Sequence, residues 1–490
     1  MMQFENLEPK AVIRNFEKIS AIPRCSGSEK QISDFLVEFA QNLGYEVYQD
    51  KIYNVIIKKP ASQGYEDIAP VILQGHMDMV CEKNKGTEHD FTKDPLKLKV
   101  DGNILSAQGT TLGADDGIAV AYCMAILEDK TLEHPPLEIL ITTQEETGLV
   151  GAKELEGDKL SGRILINIDG EEEGVFLVSC AGGLRTNIIL PLKKKAEKKD
   201  EEKYELCVSG LSGGHSGADI HKGRGNANKL MGRILYNIKR ATKFSLYSLE
   251  GGAKTNAIPR ECTAIIGIKA KRLSSVEAIV KESEQMIAQE LQKTDPQFKL
   301  SMKKCSSLPE EKSNPIKNGT RNKIIHLLLH IPHGVNSMSS DMDGLVESSN
   351  NLGVITFEGD RILFENATRS SVQSRKLEIN KKLEELAAFT DAEIVSHSDY
   401  PGWKYAPDSR LREHMKRVYK DLYSEEAQVQ AIHAGLECGL FLDVISPDLD
   451  MVALGPNMHD VHTPDETLEL ESAGKVYQLL IETLKRMKEM

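Results

Sequence analysis

The chain has 490 residues, 40% of them hydrophobic, which is more than the roughly 250–300 residues that a single core sustains, so at least two domains are expected. Its 61 basic and 74 acidic residues leave a net charge of −13, which argues against nucleic acid or an anionic membrane as partner and for a small substrate. Eight scattered cysteines without a CxxC pair suit reduced thiols in a cytosol, and neither a leader-like start (MMQFENLEPK) nor a run of about 18 apolar residues is present, so a soluble, cytoplasmic protein is expected.

In chain order, residues 8–20 and 29–43 have helical periodicity, with Phe35, Leu36 and Phe39 clustered on one side of the second. "YNVIIKK" and "PVILQG" follow as strands, then a helix near 116–128, then the strands "LEILITTQEE" and "RILINID". Strands alternating with helices imply a mostly parallel sheet flanked by helices, an α/β domain. The charge run "PLKKKAEKKDEEKYE", residues 191–205, reads as a solvated loop. Beyond it, strand-like "YELCVSG", a helix near 224–241, strand-like "ECTAIIGIKA" and a helix near 274–293 make an α+β layer. From about 396 the first style returns: a helix over 409–424, the strands "AQVQAIH" and "MVALGP", and a final amphipathic helix over 468–488. The expected organisation is one α/β domain, residues 1–186 and 396–490, interrupted by an inserted α+β domain at 187–395.

In an open α/β sheet, functional side chains gather at the carboxyl ends of the strands. "PVILQGHMDMV" ends there in His76 and Asp78, two residues apart and therefore on one side. "TTLGADDGIA" sets Asp115 and Asp116 between a turn and a helix, where capping is the ordinary role. "LEILITTQEE" runs into Glu145 and Glu146, "RILINID" into Asp169, and "MVALGPNMHDVHTPDE" leads to His459 and His462. Oxygen and imidazole donors without thiolates suit a hydrolytic zinc or manganese site, and two ions sharing a carboxylate would hold a water and polarise a carbonyl. In that site His76 binds metal and Asp78 fixes its ring from behind, while the glutamate pair supplies a general base. His326 and His330 have the i, i+4 spacing of a helical zinc site, but Leu327 stands where such a motif carries its glutamate, so both read as helix histidines.

The order GHMDMV, LGADDG, TTQEETGLVGA, NIDGEE and HTPDE resembles the co-catalytic di-zinc peptidases that include carboxypeptidase G, aminoacylase and the tripeptide aminopeptidases. The likeness is greatest to their aminoacyl-histidine (Xaa-His) dipeptidase branch, and it extends to "GLSGGHSGADIHKGRGNANKL" and "DYPGWKY". It implies a catalytic α/β domain with an inserted lid, and two divalent ions, zinc first, with manganese or cobalt as alternatives. His76 and Asp169 would hold one ion, Glu146 and His462 the other, and Asp115 would bridge them. Asp78 would orient the histidine and Glu145 would act as general base, with His459 outside the ligand set. In the lid, His215 of GGHSG and Asn256 of KTNAIP would stabilise the oxyanion, and Arg369 of ATRSS would clamp the substrate carboxylate.

The implied activity is hydrolysis of dipeptides with a free N-terminus, Xaa-His and β-alanyl-histidine among them, through a water bridged by the two metals. Tripeptide aminopeptidase or N-acyl amino acid deacylase chemistry on the same site is the alternative within hydrolases. A catalytically silent peptide-binding protein is the alternative outside them. The partner is a small peptide, and a homodimer through the lid is a further expectation of the resemblance.

Overall fold

The computed structural model describes residues 7–196, 200–309 and 312–490. They form two compact units: a first from the N-terminal side to Cys180 with Trp403–Ala431 and Leu436–Met490, and a second from Ala181–Gly402 with Ile432–Gly435.

The first unit is built on an eight-stranded sheet. Its order is Glu46–Gln49, Val55–Lys59, Leu137–Thr142, Val71–His76, Ile164–Asn167, Asp450–Ala453, Val175–Cys180 and Gln428–Ile432. The strands Leu137–Thr142, Val71–His76, Ile164–Asn167 and Asp450–Ala453 run parallel, and the pairings of Glu46–Gln49, Val55–Lys59 and Val175–Cys180 are antiparallel. Val71–His76 and Leu137–Thr142 are buried at every position, as strands covered on both faces must be, which is why apolar residues dominate them; the polar Gln74 and Glu138 within them are buried and hydrogen-bonded. Register pairs His76 with Thr142 and Gln74 with Asn167, so the carboxyl ends of three neighbouring strands finish nearly level.

Behind them lies the helix Ala114–Glu128, apolar all round and buried from Ala114 to Leu127, a core helix rather than an amphipathic one. It sits so close to the Val71–His76 strand that a Cβ on Gly75 would fall 2.5 Å from both the Ala119 Cβ and Asp116 Oδ2. Only glycine permits that approach.

One expectation fails here. Cys25 and Cys81 are not separate thiols: they are joined as a disulfide, with Cα atoms 5.7 Å apart. The chain near Cys25 lies in a parallel bridge with Met79, which sets the two cysteines side by side although 56 residues separate them in sequence. The remaining six cysteines are free.

The second unit has its own core and a nine-stranded sheet. Its order is Lys299–Lys304, Glu202–Ser209, Cys262–Ile268, Ser245–Gly251, Val346–Glu358, Arg361–Ser370, Gly182–Pro191 and Glu393–Tyr400, with Gly334–Met338 paired on Val346–Glu358. The helices Ala227–Ala241, Leu273–Glu290, Asn318–His330 and Gln373–Phe389 belong to it. The expected loop over 191–205 is shorter in the structure: one strand runs to Pro191 and the next begins at Glu202, so Glu202–Glu205 of the charged tract are paired in the sheet, and residues 197–199 of the connection lie outside the described residues. His326 and His330 lie on Asn318–His330 with ring centroids 4.3 Å apart, half-buried and exposed respectively.

Replacing Gly75 by alanine forces the strand and the core helix apart, and the expected cost is about 1–3 kcal/mol of stability. Chemical denaturation of the variant beside the parent checks this, and equal midpoints would show that the close approach is no constraint.

Candidate metal centre

The strand register delivers the candidate residues to one place. His76, the last residue of its strand, is fully buried and turns its two nitrogens opposite ways. Nδ1 lies 3.1 Å from the Asp78 carbonyl oxygen and 3.4 Å from Asp78 Oδ1, whereas Nε2 lies 3.1 Å from Asp115 Oδ1 and 3.6 Å from Asp169 Oδ1. The other oxygen of Asp115, Oδ2, lies 3.0 Å from His462 Nε2, which is also 2.8 Å from Glu146 Oε1. One carboxylate therefore faces two imidazoles, each with a further carboxylate at hand. Donor atoms of His76, Asp116 and Asp169, of His76, Glu145 and Glu146, and of Asp115, Glu146 and His462 each fall within 4.8 Å of one another. His459 is elsewhere: it is exposed and paired with Glu469 Oε1 at 3.1 Å.

Three devices hold this frame. Asp78, fully buried, accepts hydrogen bonds from the Ser26 hydroxyl (2.8 Å) and from the backbone N–H groups of Glu145 (3.1 Å) and Glu146 (3.4 Å), so it fixes the glutamate turn as well as the histidine. The Glu466 carboxylate accepts from the N–H groups of Leu112, Gly113 and Ala114 at 2.8–2.9 Å and of Asp115 at 3.3 Å, and so caps the turn that presents the shared aspartate. Arg24 donates to the carbonyls of Met77 (3.1 Å), Asp78 (3.4 Å) and Gly113 (2.5 Å), tying the two ligand-bearing turns together.

The electrostatics fit cations. Burial, reinforced by the charge of Asp169, holds the Asp116 carboxyl well above its usual range, and its Oδ1 is buried with no hydrogen-bond partner. Burial raises Asp169 to about 6 and, with Asp169, Glu437 and Glu146 nearby, raises Glu145 well above an ordinary glutamate. The histidine pKa values rise too, which in their case favours the charged form. Hydrogen bonds to Asp115 and Glu146 push His462 up to about 11, and those to Asp115, Asp169 and Asp78 hold His76 well above its usual range in spite of its burial. A carboxylate-rich pocket that draws protons onto both imidazoles is one whose charge two divalent ions would balance, and its oxygen and imidazole donors are the types such ions take.

Sequence reasoning missed Glu437. It lies fully buried at the start of the Cys438–Val444 helix, accepting hydrogen bonds from Gln74 Nε2 (2.5 Å) and Thr142 Oγ1 (2.7 Å), with Oε1 unpartnered. Burial, together with Asp169 and Asp78, pushes it up to about 7 against the pull of His76. "GLECGL" gives no motif or periodicity that marks it; only the packing of the helix against the strands does.

The other three candidates lie in the second unit, where they share a corner. His215 forms an isolated bridge with Ala257, and the Asn256 carbonyl accepts from the Ser216 N–H at 2.8 Å, placing Asn256 beside the histidine turn. The Ala218 N–H donates to His215 Nδ1 (3.1 Å), so in the neutral ring Nε2 carries the proton. Neutral it is, because burial, reinforced by Arg369, lowers its pKa to about 4. Arg369, buried, has Nη2 3.4 Å from that Nε2 and Nη1 3.3 Å from the Tyr400 hydroxyl, with Nε unpartnered. Two donors that face each other in this way leave room for an acceptor between them.

A sheet with parallel central strands and a carboxylate shared between two imidazoles at its carboxyl edge offer the donor set that two divalent ions would take. Residues 72–486 match the profile of Peptidase family M20/M25/M40, and the chain belongs to that family. It is 38% identical over 487 residues, 99% of both chains, to the cytosol non-specific dipeptidase of Escherichia coli (strain K12). The crystal structure of aminoacylhistidine dipeptidase from Vibrio alginolyticus superposes with a TM-score of 0.90 at 35% identity, covering 98% of this chain and 97% of that one. The aminopeptidase PepT from Bacillus cereus shares the fold at a TM-score of 0.58 and 16% identity, covering 98% and 99%.

Because His462 is pushed up to about 11, it is protonated at neutral pH, and a cation can take its Nε2 only by displacing that proton. Zinc or manganese affinity should therefore rise with pH across pH 6–8, with net release of about one proton or more per chain. Calorimetric titration in two buffers of different ionisation enthalpy measures this; heats independent of the buffer would contradict it.

Proposed function

We propose that the protein is a metal-dependent dipeptidase acting on dipeptides with a free N-terminus, Xaa-His and β-alanyl-histidine types among them. The observation that carries the reading is the Asp115 carboxylate, 3.1 Å from His76 Nε2 through one oxygen and 3.0 Å from His462 Nε2 through the other. The names of the E. coli and Vibrio relatives support the substrate class, and the first of them a cytosolic location. In this reading His76 and Asp169 would hold one ion, Glu146 and His462 the other, and Asp115 would serve both, with zinc the expected metal for imidazole and carboxylate donors.

Bound there, the ions supply Lewis acidity, polarising the scissile carbonyl and acidifying water. The chain's own residues do the rest. Asp78 keeps Nδ1 of His76 engaged, which leaves Nε2 aimed at Asp115 and Asp169. Glu145 is the general base: it takes a proton from the attacking water on its carboxylate and returns it to the leaving amine. Its raised pKa suits that exchange near neutral pH, where a base and its conjugate acid are both accessible. His215, neutral with Nε2–H free to donate, stabilises the oxyanion together with Asn256, and Arg369 takes the substrate carboxylate. The second unit acts as the lid that carries these three residues.

Glu145→Gln should lower kcat by about 10²–10⁴-fold while metal content, measured by atomic spectroscopy, stays at the parent level. Retained turnover would remove Glu145 from the role. A panel of Gly-His, β-alanyl-histidine, tripeptides and N-acetyl amino acids, tried on chelator-stripped protein before and after metal is restored, should show metal-dependent cleavage confined to the dipeptides. Cleavage of tripeptides or acetylated amino acids at equal rates would transfer the protein to those substrate classes.

A further inference from the structure

The sheet of the second unit carries a second guanidinium for which nothing described supplies a counter-charge. Arg185 lies on Gly182–Pro191, where Leu184, Thr186 and Ile188 turn into the core and Arg185, Asn187 and Ile189 turn to the opposite face. On the neighbouring strand Arg369 is the direct partner of Gly183, and Ala367 that of Arg185. Directly opposed residues share a face, as do residues two apart on one strand, so Arg185 and Arg369 project from the same side as diagonal neighbours. From the other flank, Tyr400 pairs with Gly183, and a Cβ there would lie 2.5 Å from the Tyr400 ring, so the residue between the two arginines has to be glycine for the tyrosine to lie over the strand.

The result is a polar corner with donors in excess. Arg369 is buried, its Nε has no partner, and its Nη1 and Nη2 meet only the Tyr400 hydroxyl and the His215 ring. Arg185 is half-buried, and the charged group that acts on it most is Arg369, a like charge. Burial and that repulsion both lower its pKa. Among the described residues no carboxylate pairs with either. Two like charges withdrawn from water side by side, without an anion, carry a desolvation and repulsion cost that a bound carboxylate offsets, and a guanidinium recognises that group through paired N–H donors.

We propose that Arg185 is a second carboxylate-binding residue of this corner and a determinant of specificity for the residue on the C-terminal side of the scissile bond. The ligand is a carboxylate, either the main-chain carboxylate shared with Arg369 or the side chain of a C-terminal aspartate or glutamate. The identity of the ligand rests on the dipeptidase reading; the existence of the anion site does not.

The test compares the parent with Arg185→Gln and Arg185→Lys on Ala-Ala, Ala-Asp and Ala-Ala amide, following kcat and KM separately. Arg185→Gln should raise KM about tenfold or more on a carboxylate substrate, with kcat little changed, the amide unaffected and lysine restoring part of the loss. A loss on both Ala-Ala and Ala-Asp assigns Arg185 to the main-chain carboxylate, and a loss on Ala-Asp alone assigns it to the side chain. Parent KM values on both, or an equal loss on the amide, would overturn the proposal. If the parent cleaves none of the three, the dipeptidase reading fails and calorimetric titration of succinate into the full-length parent and Arg185→Gln proteins decides on Arg185 by itself: weaker binding in the variant supports the site and equal binding overturns it.

Discussion

Asp78, Asp115, Asp169 and Glu146 crowd around the buried His76 and the exposed His462 at the carboxyl edge of the first unit's sheet, with Asp116, Glu145 and Glu437 close behind. Like charges in a low dielectric repel strongly, and each carboxylate taken from water costs several kcal/mol before any partner is counted. The surrounding structure makes sense as the means of holding that arrangement. Glu466 satisfies four successive N–H groups of the turn that presents Asp115, Arg24 binds three carbonyls across the two turns, and Gly75 lets the core helix approach until Asp116 Oδ2 accepts the His76 N–H at 3.2 Å. Arg24 offsets part of the charge of Glu466, Asp78, Asp116 and Asp115, but the carboxylates remain in excess, and the chief effect of these contacts is to fix their geometry. The charge itself is what divalent cations would neutralise, which links metal binding to the stability of the frame as well as to chemistry.

The second unit presents the converse problem. Arg369 and Arg185 share a face with no carboxylate among the described residues paired to either, and the neutral His215 adds a donor aimed at the same corner. Such a surplus of donors is tolerable only in part, because a half-exposed Arg185 keeps some hydration whereas the buried Arg369 does not. An acidic surplus in one unit and a donor surplus in the other are complementary to the two ends of chemistry expected of a peptide hydrolase, an electrophilic carbonyl and a terminal carboxylate.

Where the sequence was legible, the reason was periodicity. Val71–His76 and Leu137–Thr142 are buried at every position and mostly apolar, with Gln74 and Glu138 as buried exceptions, and the polar residues at the ends of such runs stand out. That is how His76, Asp78, Glu145, Glu146 and Asp169 could be picked from strand ends before any geometry was known. The same rule fails for the hairpin Val346–Glu358 and Arg361–Ser370, since its strand carries Ser348, Ser349, Asn350 and Asn351, all buried. They look like loop residues but are satisfied inside: Asn350 accepts from Thr368 at 2.8 Å and donates to the Pro332 carbonyl at 2.7 Å, and Asn351 donates to the Ala257 carbonyl at 2.8 Å. A polar strand whose partners are tertiary has no one-dimensional signature. Arg185 was missed for a related reason, because only the register that sets Gly183 opposite Arg369 brings the second arginine beside the first.

The segment Arg24–Ser26 shows how far such tertiary control reaches. Its backbone exchanges hydrogen bonds with Met79, the Ser26 hydroxyl donates to Asp78 Oδ2, Arg24 grips the carbonyls of Met77 and Asp78, and Cys25 is joined to Cys81. Every one of these contacts surrounds Asp78, the residue on which the orientation of the His76 ring depends. A count of eight cysteines without a CxxC pair could not select this pair, because its proximity is a product of the fold rather than of spacing. A carboxylate that must orient a ligand histidine to within a few tenths of an ångström needs its own turn held on more than one side. Here the chain meets that need from a segment some fifty residues upstream, so the geometry around His76 is set in part by residues outside the candidate donor set.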